Sequence, residues 1–191
     1  MVISLEYQIK FGVVKMTSKV SSIEKIRYVV LTGLFAALIY LFTSMLKIPT
    51  GNGYTHTGDG IIFLAASIIP MPYAMAAGAI GGALADGLTG FYIWMPATII
   101  IKAVTASFFT SKKETIINTR NIIALIPSLI LCVVGYGLYE GTIMAGKLSW
   151  TAIAVAFAQT PFYCLQIAVS TVLYIVIGLS FDKLKLKRKI C

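Results

Sequence analysis

Long apolar runs, broken by short polar punctuation, account for most of this chain. The runs are continuous and do not alternate residue by residue, which favours helices over the strands of a membrane barrel. Six helices are expected. The first runs from about Tyr28 to Leu46, and a polar segment at 47–59 follows it. The second, about Gly60 to Ile69, is stopped by Pro70 and Pro72. It is short against the ~20 residues that a span requires, so the count falls to five if it does not cross. The third covers about Tyr73 to Leu88, and the fourth about Tyr92 to Phe109 with Pro96 in its first turns. A polar hinge at 111–115 leads past Arg120 to the fifth, about Ile122 to Met144. The sixth extends from about Trp150 to Leu179, with a kink expected at Pro161.

Composition turns this pattern into a class. The 191 residues are 58% hydrophobic and 12% charged, with a mean hydropathy of +0.88. A soluble domain of this size cannot hide so much apolar surface. The expected fold is an all-α integral membrane protein, a compact bundle of six transmembrane helices at 23–182. It is flanked by an N-terminal lead-in (1–22) and a basic tail (183–191). Lys10, Lys15 and Lys19 break the apolar patches before Val20, which argues against a signal peptide. Met16, opening MTSKVSSIEKIRYVV, is a candidate true start; the alternative for the lead-in is an amphipathic interfacial helix. Cys132, Cys164 and Cys191 lack metal-ligand or CxxC spacing, so neither a disulfide nor a metal site is expected. No phosphate loop, HExxH or GxSxG is present. No catalytic residue and no cofactor are expected.

The net charge of +9 is explained by its layout. With the N-terminus in the cytoplasm, thirteen of the sixteen Lys and Arg residues lie before Tyr28, in the 111–120 hinge and in the tail. That is the positive-inside bias, with both termini cytoplasmic, and it makes a nucleic-acid partner unnecessary. Trp94 and Trp150 then fall at the outer interface.

Three ionisable residues interrupt the apolar runs: Asp86, Lys102 and Glu140. Each costs ~2.5–3.5 kcal/mol at the bilayer centre, so such residues are kept where they face an interior or a path. Counting residues places Asp86 and Glu140 toward the outer half and Lys102 near the middle. Asn52, Tyr54, His56 and Asp59 of the 47–59 segment lie on the same outer side. Plainer readings stand beside a shared pocket. Asp86 and Lys102 pair across the third and fourth helices; Glu140 sits in interfacial water; His56 is solvated; Asp59 is a helix N-cap. Gln159, Tyr163 and Gln166 either line the bundle or hydrogen-bond between helices. Thr32, Gly33, Ala36 and Ala37 form a small-residue face on the first helix, for packing inside the bundle or against another subunit.

TyrThrHisThrGlyAsp (54–59) resembles the HxGD opening of helix 2 in substrate-binding S components of energy-coupling-factor (ECF) transporters. AlaAspGlyLeuThrGlyPheTyr (85–92), followed by ProAlaThrIleIleIleLysAla (96–103), is similar to that family's helix 3–4 hairpin. The face Thr32, Gly33, Ala36, Ala37 resembles the surface that docks on the transmembrane T component. One departure is Thr57, where an apolar residue is expected between His and Gly. The resemblance spans roughly 23–185. It implies a substrate-specific subunit in a prokaryotic plasma membrane, capturing a vitamin or related precursor from outside. Its partners would be a T component and two ATPase subunits, amid membrane lipid. The implied pocket is Asn52, Tyr54, His56, Asp59, Asp86, Trp94, Lys102, Glu140 and Tyr163. Aromatic rings beside a carboxylate and a lysine suit a flat polar heterocycle: a pyrimidine, a pyridine or a deazaguanine-type precursor. Two alternatives stay open. One is a membrane enzyme acting on a lipid or isoprenoid through Asp86, His56 and Glu140; the other is a structural membrane subunit whose charges merely pair.

Overall fold

Backbone polar groups have no water to bond in a bilayer, so the apolar runs satisfy them internally as helices. The computed structural model describes residues 2–50, 53–146 and 149–190, with side chains described from Ser22 onward. It is 79% helical. In chain order come α1 (Val2–Ser44), strands β1 (Lys47–Thr50) and β2 (Gly53–His56), α2 (Gly58–Ile68) and α3 (Met71–Leu88). A single 3₁₀ turn (Tyr92–Trp94) leads into α4 (Met95–Ser107). Then follow α5 (Thr119–Ile123), α6 (Leu125–Leu138), a π-helical segment (Tyr139–Met144), α7 (Trp150–Phe157), α8 (Thr160–Lys183) and α9 (Leu186–Ile190). Three stretches are long and apolar enough to cross a membrane: Ser22–Ser44, Thr119–Met144 and Trp150–Lys183. Gly58–Ile68 and Tyr92–Ser107 are apolar but shorter. The protein is an all-α membrane protein with one small hairpin.

Short, apolar α2 is the central post of the bundle. All eleven of its residues are buried, and it packs against α1, α3, α4 and α8. A helix surrounded on every side needs no polar face, which is why its apolar run has no periodicity. Pro70 caps α3 and Pro72 lies in its first turn, so the chain reverses there without a long loop.

Two expectations change. Most of the polar 47–59 segment pairs as two antiparallel strands, with Lys47 opposite His56 and Thr50 opposite Gly53, and its last residues, Gly58 and Asp59, open α2. The expected kink at Pro161 takes the form of a break: α7 ends at Phe157, and Pro161 occupies the first turn of α8.

The small residues of α1 divide between two faces. Thr32 and Ala36 are buried, whereas Gly33 and Ala37 are exposed on the outside of the bundle. The inward pair meets α3 closely: a Cβ added at Gly81 would lie 2.7 Å from the Ala36 carbonyl oxygen. At Gly33 such an atom would meet nothing within 4 Å.

At the end opposite the hairpin, polar side chains fasten the 108–118 connection. Asn121 is fully buried and donates to Ser67 Oγ and the Ile116 carbonyl, each at 3.0 Å. Tyr174 donates to the same carbonyl at 2.9 Å. Asp182 accepts the backbone N–H groups of Ile116 and Ile117 at 2.7 and 2.9 Å.

Gly81→Ala is expected to destabilise the detergent-solubilised protein by ~1–3 kcal/mol, because it wedges α1 from α3. Gly33→Ala is expected to leave stability unchanged or raise it, through helix propensity. Thermal melting of the two variants side by side tests the contrast.

Candidate functional site

The site is built where α2, α4 and α8 meet under the hairpin. Asp59 is the second residue of α2 and is 1% exposed. It does not cap the helix: Thr57 holds the N-cap position, without a side-chain bond. Lys102 on α4 is 2% exposed and places Nζ 2.7 Å from Asp59 Oδ1. Gln166 of α8 donates to Asp59 Oδ2 at 2.6 Å. One carboxylate thus receives a charged donor from one helix and an amide donor from another. The Lys102 stem reaches it past Gly82, where a Cβ would lie 3.3 Å from Lys102 Cγ and 2.7 Å from Thr98 Cγ2. Lys102 Nζ also stands 5.3 Å from the centroid of the Tyr136 ring.

The Asp86–Lys102 pair expected from the sequence does not form, because Lys102 is taken by Asp59. Asp86 turns toward the hairpin, and its Oδ1 accepts the Tyr54 hydroxyl at 2.5 Å. Burial, and then the neighbouring Asp86, raise the Tyr54 phenol above its usual range, so it stays protonated and donates. Tyr54 packs on Phe91 at 4.7 Å, and Lys47 stands over both rings at 5.3 and 5.4 Å. His56 is buried, contrary to a solvated loop position, and its Nδ1 accepts the Gly58 N–H at 3.1 Å. Burial first, then the Lys102 ammonium, push this imidazole down to about 3, so it is neutral at physiological pH.

Tyr54, His56, Asp86, Lys102 and Gln166 line a cleft of about 490 Å³, counting the part open to solvent. Aromatic rings form its walls. Tyr136 and Tyr163 stack at 5.6 Å, and Trp94 meets Tyr136 edge-on at 5.9 Å. Trp94 is therefore an interior residue and not part of an interfacial belt, whereas Trp150 is 86% exposed. Thr98 Oγ1 and the Tyr136 hydroxyl lie 3.1 Å apart.

Tyr54, His56, Asp86, Trp94, Lys102 and Tyr163 all reach the cleft. Asp59 lies behind it as the partner of Lys102. Glu140 does not join them: it is buried on the π-helical segment, beside a separate cavity with Met144, Thr151 and Ala156. The π turn, closed by the Ala145 N–H on the Glu140 carbonyl, shifts the register after Tyr139, and residue counting along a regular helix misses that shift. Asn52 lies outside the described residues. Tyr136, Thr98 and Thr43 line the cleft without having been singled out, and Gln166 was read only as a bundle residue. The signal available for Tyr136 was its place between two glycines in an otherwise aliphatic helix.

The cleft lies within a membrane-embedded helical bundle, beneath the hairpin. The family model described as ECF-type riboflavin transporter, S component, matches residues 23–183, and the chain belongs to that family. It is a substrate-specific subunit of a transporter, embedded in a prokaryotic plasma membrane. S components bind a small molecule and work with T and ATPase modules, and they are not an enzyme class. No curated protein matches the chain.

Lys102→Met leaves the Asp59 carboxylate buried without its cation. The expected loss is ~3–5 kcal/mol, read as a lowered melting temperature. The double variant Asp59→Asn, Lys102→Met is expected to recover part of that loss; a double variant as unstable as Lys102→Met alone would count against the pair as the source of the effect.

Proposed function

We propose that this protein captures a flat heterocyclic vitamin or vitamin precursor in the cleft beneath its hairpin and hands it to a shared T component and two ATPase subunits. The observation that carries this reading is the pairing of an aromatic wall (Trp94, Tyr136 and Tyr163) with one buried carboxylate, Asp86. Stacking holds the faces of a ring, and a few fixed polar groups read its edge. Riboflavin, named in the family description, is the first compound to test; pyrimidine, pyridine and deazaguanine-type compounds share the same chemistry.

The proposed topology has six membrane segments: α1, α2, α3, Tyr92–Ser107, 119–144 and 150–183. Both termini face the cytoplasm, and the hairpin faces outward. Support comes from the basic residues at 112, 113 and 120 and in the tail, all at the end away from the hairpin. The 1–22 lead-in and the 183–191 tail are read as cytoplasmic flanks of one membrane domain. The docking surface for the T component is the exposed part of the small-residue face, Gly33 and Ala37, with Thr32 and Ala36 serving the interior.

Mass spectrometry of small molecules released from the purified protein tests the capture reading directly, and a flat heterocycle is the expected product. Tyr136→Leu is expected to weaken its binding roughly 2- to 13-fold, the equivalent of ~0.5–1.5 kcal/mol of ring contact. Ala37→Trp adds bulk to an outward face. It is expected to abolish co-purification with the T component while ligand binding persists; loss of binding with intact association would sink the docking assignment.

A further inference from the structure

Charge around the cleft is unevenly matched. Lys102 and Asp59 neutralise each other at 2.7 Å, and His56 is uncharged. Lys47 stands over the Tyr54 and Phe91 rings, outside the cleft lining. Asp86 remains as the acidic member of the lining, 4% exposed and in no ion pair among the described residues. Its Oδ1 is occupied by Tyr54, but its Oδ2 accepts no hydrogen bond from any described residue. The hydroxyl of Thr98, on the same wall, lies 3.1 Å from the Tyr136 hydroxyl and also interacts with the Asp86 carboxyl. A buried carboxylate oxygen without a donor is costly, and such a group is retained where something else supplies the donor.

We propose that Asp86 Oδ2 is the specificity-determining acceptor of this cleft, and that the substrate is an uncharged or cationic heteroaromatic ring presenting an N–H to it. The assignment rests on the reading that the cleft captures a heterocycle. With ring faces held by Trp94 and Tyr136, the edge of the ligand is what remains for Asp86. A carboxylate or phosphate on that edge would meet the Asp86 carboxyl in a largely buried site, which disfavours anionic ligands. Tyr54 ties the same carboxyl group to the hairpin, so Oδ2 is held in place before the ligand arrives.

Calorimetric titration of the ligand-stripped protein with riboflavin, 7-aminomethyl-7-deazaguanine and nicotinate tests this assignment. The first two carry ring N–H donors, and nicotinate is anionic without one. Binding of at least one N–H ligand is expected, with nicotinate at least about tenfold weaker. Asp86→Asn preserves an acceptor for Tyr54 but can place an NH₂ where Oδ2 stood; the bound ligand is expected to lose at least about tenfold in affinity. The N-methylated form of that ligand is expected to lose as much on the wild type, an arm that does not depend on the variant folding. Unchanged affinity for the methylated ligand or for Asp86→Asn, or nicotinate as the tightest of the three, overturns the assignment and leaves the capture reading standing. A wild type that binds none of them overturns the capture reading, and the assignment with it.

Discussion

The ion pair between Asp59 and Lys102 is the constraint on which the rest of the bundle depends. Two charges inside a membrane domain are tolerable when each satisfies the other and the remaining lone pairs find donors. Asp59 meets both conditions, taking Lys102 on one oxygen and Gln166 on the other. The pair therefore fixes three helices against one another, α2, α4 and α8, at the floor of the cleft. Neighbouring sequence choices conform to it. Gly82 clears space for the lysine stem, and every residue of α2 is buried, so the carboxylate is never exposed to lipid. His56 is kept neutral partly by the same ammonium, so the cleft does not gain a second cation.

Much of this was legible in the sequence, and the parts that were not have identifiable causes. Continuous apolar runs and the prolines at 70, 72, 96 and 161 marked most helix ends, because both signals are local, but α1 begins at Val2, far before the expected Tyr28. The hairpin at 47–56 was invisible, since four-residue strands in a polar segment carry no periodicity of their own. The charged residues were found, but their partners were not. Asp86 and Lys102 are near in sequence and were the natural couple, whereas Asp59 lies 43 residues from Lys102 and reaches it only because α2 is central. Gln166, 107 residues from Asp59, was out of reach for the same reason. Glu140 lies on a π-helical segment beside a separate cavity, a local feature that composition does not announce.

The small residues of α1 show how one motif serves two surfaces. In a bilayer, helices gain little from hiding apolar area from one another, and close backbone approach counts for more. Ala36 and Gly81 use that approach inside the bundle, while Gly33 and Ala37 leave a smooth strip on the outside. A spacing of four residues reads as one face on paper. The packing of α1 on α3 turns its members to opposite sides.

The fastening around Asn121, Tyr174 and Asp182 gives the molecule two mechanically different ends. One is stapled by buried hydrogen bonds that join α2, α5, α8 and the 108–118 connection. The other is covered by a two-stranded hairpin that is bonded to α3 through Tyr54 and Asp86 and to α8 through Thr55 and the Phe162 carbonyl. The two ends are thus held by different means: buried hydrogen bonds to the chain's own backbone at one, and a hairpin packed on α1 and α8 and bonded to α3 at the other.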